Sequence, residues 1–469
     1  MPQYYNTLTK QMDTLKPLRA GVVGIYSCGP TVYGPQHIGN LRSAVIWDVL
    51  RRSLEFQGYT VHHVINVTDF GHLVSDADDG EDKMAKGLRT EGLPWTLGGM
   101  KQLAQKYTDK YLADRHALHA LRPYRLPFAS DHIQEQIDLI RILEAKGFTY
   151  TTSDGVYFST EKDPGYGRLH VCHHDQENES RIGISSEKKH PFDFALWKFN
   201  DELGWMSPWG QGFPGWHIEC SAMSMKYLGD TFDIHTGGIE HIDIHHENEI
   251  AQSQNATGKP LAHIWMHNDH LLMNNEKVAK SSGNNAYLDD VIERGYDPLA
   301  LRYLFLQAHY RSSQNFTWES LGASATALKR LRAHAHQLRE HMSWFDTFFA
   351  QKNQSYTKRF TDAIADDLDT PKALALIWEM LKDDTLSPAQ KFKTLMHCDH
   401  VLGLDLGRIE KSSVPHTAAQ DPRVAELLNE RARARTDKDW VTSDRIRDEL
   451  KEMGLMVHDT DAGQTISPL

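Results

Sequence analysis

The chain has 469 residues, of which 40% are hydrophobic and 24% charged, with a formal net charge of −12 and four cysteines. These values predict two to four folded domains and exclude a disulfide framework. The sequence contains no apolar run of membrane-spanning length and no apolar signal core at the N-terminus, so we expect a cytoplasmic protein without a membrane partner. The net negative charge does not exclude a nucleic acid as a partner, because phosphate binding needs only a local basic face.

The first elements predict a nucleotide-type α/β sheet. GVVGIYS (21–27) is a short β-branched run that ends at Cys-Gly-Pro, which is typical of a buried strand. Apolar residues then recur at helical spacing over 41–56, and TVHHVINVTD (60–69) is a second strand. Strand, helix and strand in this order form a βαβ unit, which predicts a parallel sheet.

The tetrapeptide HIGN (37–40) lies between that strand and that helix. A strand-to-helix turn exposes backbone N–H groups at a helix N-terminus, which is a natural phosphate site. His37 could hydrogen-bond a phosphate oxygen, and Gly39 lets a ligand approach the backbone closely. The alternative is a plain turn in which Asn40 caps the helix, and the tetrapeptide alone does not decide between them.

Two lysines three positions apart occur twice in the chain. Lys83 and Lys86 follow the acidic stretch DADDGED (76–82), which does not have the glycine and glutamate positions of an EF-hand. Lys277 and Lys280 lie in NNEKVAKSSGNN, where small residues follow and suit a mobile loop that brings cations to a triphosphate. The alternative for either pair is a solvated charged loop. The first pair comes too soon after HIGN for half a doubly wound sheet to intervene, so the sequence favours the second.

The cysteines suggest a metal site. Cys28 ends the first predicted strand, and Cys220 lies in WHIECSAM at a second strand–helix junction. EHIDIHHENEIA (240–251) then places His241, His245 and Glu249 at successive i,i+4 positions on one helical face. Two thiolates, a histidine and a carboxylate make a plausible tetrahedral zinc set. Buried free cysteines beside a histidine-rich helix remain the alternative, because four distant positions would have to converge.

The C-terminal part of the sequence is helical from about residue 296. KSSVPHTAAQDP (411–422) is a predicted linker, and a basic helical tail follows it. Positive charge clusters at 329–342 and again in the tail, where an aromatic side chain offers a stacking surface for RNA. The tail residues concerned are Arg431, Arg433, Arg435 and Trp440. The alternative for these runs is a solvated charged helix.

Six segments in this order resemble the cysteinyl-tRNA synthetase family: CGPTVYGPQHIGN, NVTDFGH, PGWHIECSAM, DIHTGG, HHENEIAQS and EKVAKSSGN. In that comparison HIGN and KVAKS correspond to the HIGH and KMSKS motifs of class I aminoacyl-tRNA synthetases. The resemblance runs from about residue 20 to the C-terminus and includes ARTDKDWVTSDRIRDEL (434–450). It implies a Rossmann-like doubly wound parallel sheet with an inserted connective subdomain, a helical bundle and a small C-terminal domain.

The resemblance also implies three groups of site residues. One zinc ion per subunit would be held at the floor of the amino-acid pocket by Cys28, Cys220, His245 and Glu249. ATP, entering with Mg2+, would be bound by His37, Gly39, Asn40, Lys277 and Lys280. The cysteine pocket would be lined by Gly29, Thr31, Thr68, Trp216 and His235, with Trp216 closing over the amino acid. His241 is then an outer or surface residue, and Cys172 and Cys398 are structural.

The implied function is that of a cysteine–tRNA ligase acting on L-cysteine, ATP and tRNA-Cys. A zinc–thiolate bond would select cysteine over serine without an editing domain. A monomer without a stable protein partner follows from the resemblance alone. Asn40 replaces the second HIGH histidine and Ala279 replaces the middle serine of KMSKS, so adenylation could be slower. The alternatives are a cysteine ligase of the mycothiol pathway, which resembles a synthetase shortened at its C-terminus, and a catalytically silent synthetase-like binding protein.

The expected domain boundaries follow from these segments. Residues 1–121 would form the first half of the catalytic domain and 122–214 the inserted subdomain. Residues 215–290 would form the second half with the KMSKS-like loop, and 291–407 the stem-contact region and helical bundle, which would bind tRNA. Residues 408–469 would form the linker and the anticodon-binding domain.

Overall fold

The structure is a computed structural model that divides the chain into two compact units, Met1–Leu406 and Gly407–Leu469. The residues it describes are 1–71, 83–169, 187–273, 276–277, 285–408, 422–437, 439–453, 455–460 and 463–468. Among these residues, no helix is both long enough and apolar enough to cross a lipid bilayer.

The strands of the first unit are β1 (Gln3–Asn6), β2 (Gln11–Thr14), β3 (Val22–Ser27), β4 (Thr60–Ile65), β5 (Thr149–Thr151), β6 (Gly155–Phe158), β7 (Phe194–Phe199), β8 (Trp205–Ser207), β9 (Gly210–Pro214), β10 (Phe232–Gly238), β11 (Ala262–Asn268), β12 (Leu271–Met273), β13 (Glu276–Lys277) and β14 (Gln314–Phe316). Its α-helices are α1 (Ile38–Phe56), α2 (Lys83–Glu91), α3 (Leu97–Ala117), α4 (Ile133–Ala145), α5 (Trp216–Leu228), α6 (His245–Thr257), α7 (Leu288–Glu293), α8 (Pro298–Leu306), α9 (Trp318–Glu340), α10 (Trp344–Phe349), α11 (Gln354–Ala365), α12 (Thr370–Lys382) and α13 (Pro388–Leu402). Short 3-10 helices cover Ala129–His132, Thr160–Lys162 and Ile239–His241.

A four-stranded parallel sheet carries the site, with the strand order β11-β10-β3-β4. Helix α1 connects β3 to β4, so the predicted βαβ unit and the predicted α/β fold class are confirmed. Buried apolar side chains cover both of its faces, as parallel sheets require. Because all four strands run in the same direction, their carboxyl ends meet at one edge, where ligands bind in open α/β sheets.

Helix α1 begins within HIGN, at Ile38. His37 is its N-cap, with extended backbone angles and an Nδ1 atom that accepts a hydrogen bond from the Asn40 backbone N–H at 3.3 Å. Asn40 therefore lies inside the first turn and is not the cap that the plain-turn alternative assumed. The helix ends before Gly58, whose φ of +92° suits glycine.

The region predicted as an insertion contains a sheet of its own. Its five antiparallel strands have the order β5-β6-β7-β9-β8, and α4 packs beside them around a core that includes Trp197 and Phe158. The sequence did not predict these strands, because each has only three to six residues and one of the pairs, β6 with β7, joins segments far apart in the chain.

The helical part after residue 296 departs from the sequence prediction at one point. FTDAIADDLDTPKALALIWEML reads as one helical segment but forms two helices, α11 and α12. Between them, Asp367 and Leu368 have φ values of +51° and +56°. The Asp367 carboxylate accepts hydrogen bonds from the Tyr5 backbone N–H and the Tyr310 hydroxyl, which ties this break to the N-terminal hairpin.

A buried ion pair joins the sheet domain to the helices that follow it. Asp48 on α1 lies 2.8 Å from a guanidinium nitrogen of Arg302 on α8, and both side chains are 0% exposed. Asp48 also accepts from Arg52 at 2.8 Å and from the Leu121 backbone N–H at 2.7 Å. Arg302 donates further to the carbonyl oxygens of Leu118 and Leu402.

The second unit has two helices and a hairpin: α14 (Pro422–Thr436), α15 (Trp440–Glu452), β15 (Leu455–Thr460) and β16 (Gly463–Pro468). The two strands are antiparallel. A small buried core includes Leu427, Ile446 and Leu450. The basic helical tail was predicted and the hairpin was not. The predicted linker lies outside the described residues as far as residue 421.

Candidate active site and metal centre

Cys28 follows β3 directly, at the carboxyl edge of the parallel sheet, and its backbone N–H donates to Thr236 of β10 at 3.3 Å. Gly29 comes next and approaches the loop after β4 so closely that a Cβ atom would lie 1.7 Å from the Asn66 carbonyl oxygen. Its backbone N–H donates to Asn66 Oδ1 at 2.7 Å. Glycine is therefore required to hold Cys28 against the neighbouring loop.

Three other predicted metal ligands converge on Cys28. Cys220 lies in the second turn of α5, and His245 and Glu249 lie on one face of α6. The four donor atoms are all within 4.8 Å of one another. Cys28 Sγ lies 4.0 Å from Cys220 Sγ and 3.7 Å from Glu249 Oε1, and His245 Nε2 lies 3.1 Å from Glu249 Oε1. His241 is not on α6, as the sequence suggested, but ends a 3-10 helix before it.

A second group of donors overlaps the first: Cys28, His235, His246 and Glu249 also lie within 4.8 Å of one another. In this group the histidines use their ring nitrogens in hydrogen bonds. His235 Nε2 lies 2.9 Å from Glu249 Oε2, and the two nitrogens of His246 contact His267 and Cys28. His245 Nε2, in contrast, has no partner with hydrogen-bond geometry although it faces the other donors. The set that contains Cys220 and His245 therefore has the better-directed donors.

These four donors fit a zinc ion. With Zn–S bonds of about 2.3 Å, a tetrahedral ion separates two sulfur atoms by about 3.8 Å, and the observed separation of the thiols is 4.0 Å. Burial raises the pKa of the Cys28 thiol well above its ordinary value. A divalent cation reverses this penalty and deprotonates a coordinating thiol. Cys28, Cys220, His245 and Glu249 would hold the ion.

His235, which the resemblance predicts to line the cysteine pocket, is 0% exposed and its Nε2 lies 2.9 Å from Glu249 Oε2. Its ring stacks on Trp265 with centroids 4.4 Å apart. Burial by itself would raise the pKa of Glu249, but His235 and His245 outweigh it and lower that pKa to about 2. His235 therefore keeps Glu249 ionised and oriented, as outer hydrogen-bond partners of metal ligands do.

Three further histidines support the site and were not identified from the sequence. His217 Nδ1 lies 2.9 Å from His245 Nδ1, which leaves His245 Nε2 to face the metal donors. His246 bonds Cys28 on one side and His267 on the other, at 3.2 and 2.7 Å. The positions of His217 and His246 directly after Trp216 and His245 were the available signal, and His267 had none; residue order does not reveal which ring nitrogens meet.

The HIGN segment and the residues that follow the lysine loop, Ala286 and Tyr287, lie together. The Ile38 backbone N–H donates to the Ala286 carbonyl oxygen at 2.9 Å, and His37 pairs with Tyr287 through a backbone bridge. Gly39 is half-buried and Asn40 is exposed. Lys277 lies on β13, whose backbone pairs with β12, while Lys280 lies outside the described residues. The residues that close the loop are thus anchored at the N-terminus of α1.

The predicted cysteine pocket lies beside the metal donors. Thr31 and Thr68 are paired through their backbones, and the Thr68 hydroxyl donates to Glu219 Oε2 at 2.7 Å. The Trp216 ring packs against His245 with centroids 4.4 Å apart. Lys83, from the lysine pair that the sequence did not favour, has its Nζ 5.4 Å from the centroid of the Trp216 ring. Lys83 and Glu219 are thus near the site although sequence reasoning gave them no role.

The predicted tRNA-binding residues of the second unit differ in exposure. Arg431 is only 4% exposed, and its side chain hydrogen-bonds Gln464. Arg433 is exposed and Arg435 is half-buried. The Arg435 guanidinium lies 5.7 Å from the centroid of the Trp440 ring, which is 55% exposed. The Arg435 and Trp440 side chains therefore lie against each other with the indole exposed, whereas the Arg431 side chain is enclosed.

Two family models match the chain. The model of the "tRNA synthetases class I (C) catalytic domain" covers residues 14–326, and that of the "Cysteinyl-tRNA ligase anticodon binding domain" covers 417–466. The chain belongs to the cysteinyl-tRNA synthetase family. This confirms the resemblance drawn from the six sequence segments. As a member of this class I family the chain is an ATP-dependent ligase, with tRNA and cysteine as the substrates that the family implies.

Relatives of this cysteinyl-tRNA synthetase extend over nearly the whole chain. Cysteine–tRNA ligase 1 of Burkholderia lata is 46% identical and covers 98% of this chain and 96% of its own length. A cysteine–tRNA ligase of Thermus thermophilus is 41% identical, with 98% of both chains covered. The structure of Mycobacterium tuberculosis methionyl-tRNA synthetase with methionyl-adenylate superposes with a TM-score of 0.55 at 14% identity, covering 82% of this chain and 90% of that one. That similarity supports the shared fold.

Proposed function

We propose that this cysteinyl-tRNA synthetase joins L-cysteine to the 3′-terminal adenosine of tRNA-Cys, with zinc as the selector of cysteine. The observation that carries the proposal is the convergence of Cys28, Cys220, His245 and Glu249 within 4.8 Å, directly after β3. Cys28 is followed by the loop that leads to HIGN. A substrate thiol bound at these donors would therefore lie beside the segment that ends at the predicted phosphate site. A soft thiolate site prefers a thiol to a hydroxyl.

The reaction would proceed by positioning and charge stabilisation. The carboxylate of cysteine attacks the α-phosphorus of ATP and displaces pyrophosphate, and a ribose hydroxyl of the tRNA then attacks the mixed anhydride. His37, the N-terminus of α1, Lys277 and Lys280 would stabilise the phosphate charge, with Mg2+ bound to ATP. When bound, zinc would act as a Lewis acid that favours the ionised form of the substrate thiol. Trp216, at the pocket wall, would hold the amino acid in place.

The tRNA would be bound by the C-terminal half under the same proposal. Exposed Arg433 would supply charge, and half-buried Arg435 with exposed Trp440 a stacking surface, in the unit that matches the anticodon-binding family model. A mycothiol-type cysteine ligase, which resembles a synthetase shortened at its C-terminus, would not need this unit. We also propose a cytoplasmic monomer, and the domain boundaries given above, on family grounds.

Charging of tRNA by the purified protein tests this function. With ATP, zinc and total tRNA, labelled cysteine is expected to become attached to one isoacceptor family, and labelled serine is not. Attachment of cysteine to a small-molecule amine in place of tRNA would support the mycothiol-type alternative. Absence of any cysteine-dependent exchange between ATP and pyrophosphate would support the silent binding protein, in which Asn40 would be the departure to examine.

Replacing Lys280 with Ala is expected to slow adenylate formation by roughly 100-fold, because the transition state would lose a cation that stabilises the departing pyrophosphate. The Michaelis constant for cysteine is expected to change little. Cysteine-dependent ATP–pyrophosphate exchange measures both quantities. Lys86→Ala, in the exposed lysine of the other pair, is the matched control and is expected to leave the rate unchanged. A normal rate in the Lys280 variant would contradict the position of the KMSKS-like loop.

A further inference from the structure

Two charged side chains beside the cysteine pocket have no part in the metal or ATP sites described above. Glu219 lies in the first turn of α5, three residues after Trp216 and one before Cys220. Lys83 begins α2 and lies over the Trp216 ring. The amino acid that enters this pocket carries two opposite charges, an α-ammonium group and an α-carboxylate.

Glu219 determines whether the Thr68 hydroxyl acts as a donor or as an acceptor toward a ligand. The Glu219 side chain is 0% exposed, and its Oε2 accepts the hydrogen of the Thr68 hydroxyl at 2.7 Å. Since a hydroxyl has only one hydrogen, Thr68 Oγ1 can act toward a ligand only as an acceptor, beside Asn66 Nδ2, which also donates to it at 3.5 Å. A ligand group that binds there must be a donor. The neighbouring Asp69 is occupied elsewhere, because both of its oxygens accept hydrogen bonds from Ser130.

The position of Glu219 also selects a positive ligand group. A buried carboxylate in the first turn of a helix is stabilised by the helix dipole. An ammonium group that donates to Thr68 Oγ1 would be attracted by this carboxylate, whereas a second carboxylate would be repelled. The Thr68–Glu219 pair is thus built to receive an ammonium group.

Lys83 is held near the pocket by the packing of α2. Met84 and Leu88 are buried, and Gly87 approaches the Tyr33 backbone so closely that a Cβ atom would lie 2.6 Å from the Tyr33 carbonyl oxygen. This contact seats α2 on the loop that leads to HIGN. The Lys83 ammonium lies 5.4 Å from the Trp216 ring centroid and is therefore a half-buried cation beside the residue predicted to cover the substrate.

We infer that these residues sort the two charged groups of the amino acid, with Thr68 and Glu219 receiving the α-ammonium group and Lys83 receiving the α-carboxylate. The inference rests on the proposed function, because it assumes that cysteine occupies this pocket. It adds two residues to the recognition of the substrate. It also assigns an orientation to the attacking group, since the carboxylate that attacks ATP would be held by a cation on the side of the HIGN loop.

Two thiols that each lack one charged group test the inference. Cysteamine has the ammonium group without the carboxylate, and 3-mercaptopropionate has the carboxylate without the ammonium group. Calorimetric titration of the zinc-loaded protein measures the affinity for each. Glu219→Gln is expected to weaken the binding of cysteamine by about tenfold and to change the affinity for 3-mercaptopropionate by less than about twofold. Lys83→Met is expected to give the opposite pattern, with weaker binding of 3-mercaptopropionate and nearly unchanged binding of cysteamine.

Matched variants separate recognition from folding. Thr68→Val is expected to repeat the Glu219→Gln pattern and Thr68→Ser to restore cysteamine binding, so the test does not depend on one buried substitution. Lys86→Met, three residues beyond Lys83 on the same helix and exposed, is expected to bind both thiols normally. Zinc content and melting temperature are measured for every variant.

The outcomes distinguish this inference from the proposed function. Crossed losses for the two thiols support the inference. Equal weakening of both thiols by either variant, or no weakening at all, overturns it while cysteine binding by the unmodified protein still supports the function. Failure of the unmodified, zinc-loaded protein to bind cysteine overturns both.

Discussion

Replacing Cys220 with Ser is expected to remove most of the bound zinc and to lower kcat/KM for cysteine by more than about 100-fold. That factor is the upper end of what losing an outer partner of a metal ligand costs, and Cys220 is proposed as a direct ligand. A serine hydroxyl stays protonated at neutral pH and is a poor zinc ligand, so the remaining three donors would bind the ion weakly. Elemental analysis of the purified protein and cysteine-dependent ATP–pyrophosphate exchange measure the two effects.

The same substitution elsewhere in the chain serves as the control. Cys398 is buried in the helical bundle, in α13, and burial raises the pKa of its thiol to about 12. Cys398→Ser is expected to reduce the melting temperature but to keep both zinc and the Michaelis constant for cysteine. Normal zinc content and normal kinetics in the Cys220 variant would show that the metal assignment is wrong.

Replacing Asp48 with Ala is expected to lower the free energy of unfolding of the first unit by about 3–5 kcal/mol. The substitution would leave the Arg302 guanidinium, which is 0% exposed, as a buried charge without its carboxylate partner, and such a loss costs that amount. Urea denaturation followed by tryptophan fluorescence measures the change. Asp362→Ala is the control, because Lys358 and Asp362 form an ion pair in which the side chains are 76% and 60% exposed. It is expected to change the free energy by less than about 1 kcal/mol. A loss in the Asp48 variant no larger than in this control would contradict the prediction.

The effect of Asp48 also depends on pH. Burial alone would raise the pKa of Asp48, but Arg302, Arg52 and the Leu121 N–H outweigh burial and hold it below its ordinary value of 3.8. A carboxyl group whose pKa is lower in the folded state stabilises the fold at pH values above 3.8, and that contribution is lost as the pH falls through the folded pKa. The difference in stability between the unmodified protein and Asp48→Asn is therefore expected to be constant near neutral pH and to shrink below about pH 4.

The sequence predicted those parts of the fold that depend on local periodicity. The β3–α1–β4 unit was predicted because short apolar runs mark its two strands and apolar residues at helical spacing mark its helix. The hairpin of the second unit and the antiparallel sheet of the inserted region were missed, because their short strands are recognised only once they are paired. The break between α11 and α12 was missed for a related reason, since the contacts of Asp367 with Tyr5 and Tyr310 come from distant segments.

The site was predictable only in part. Cys28 and Cys220 could be proposed as ligands by their chemistry, but the sequence could not show that they meet, and the choice among the histidines depended on the family resemblance. In the structure His245 and His235 contact different oxygens of Glu249, at 3.1 and 2.9 Å, a difference that residue spacing does not encode. Arg431 illustrates the same limit, because its neighbours in the sequence are exposed while its own side chain is enclosed.

The separation of the two thiols along the chain has a consequence for synthesis on the ribosome. Cys28 and Cys220 are 192 positions apart, and translation proceeds at about 5–20 residues per second. The first thiol therefore waits about 10–40 s for the second, and His245 and Glu249 emerge later still. During that interval the thiol of Cys28 has none of its three partners and is open to oxidants and to stray metal ions. The nascent chain thus depends on the reducing power of its surroundings until the last of the four donors has been made.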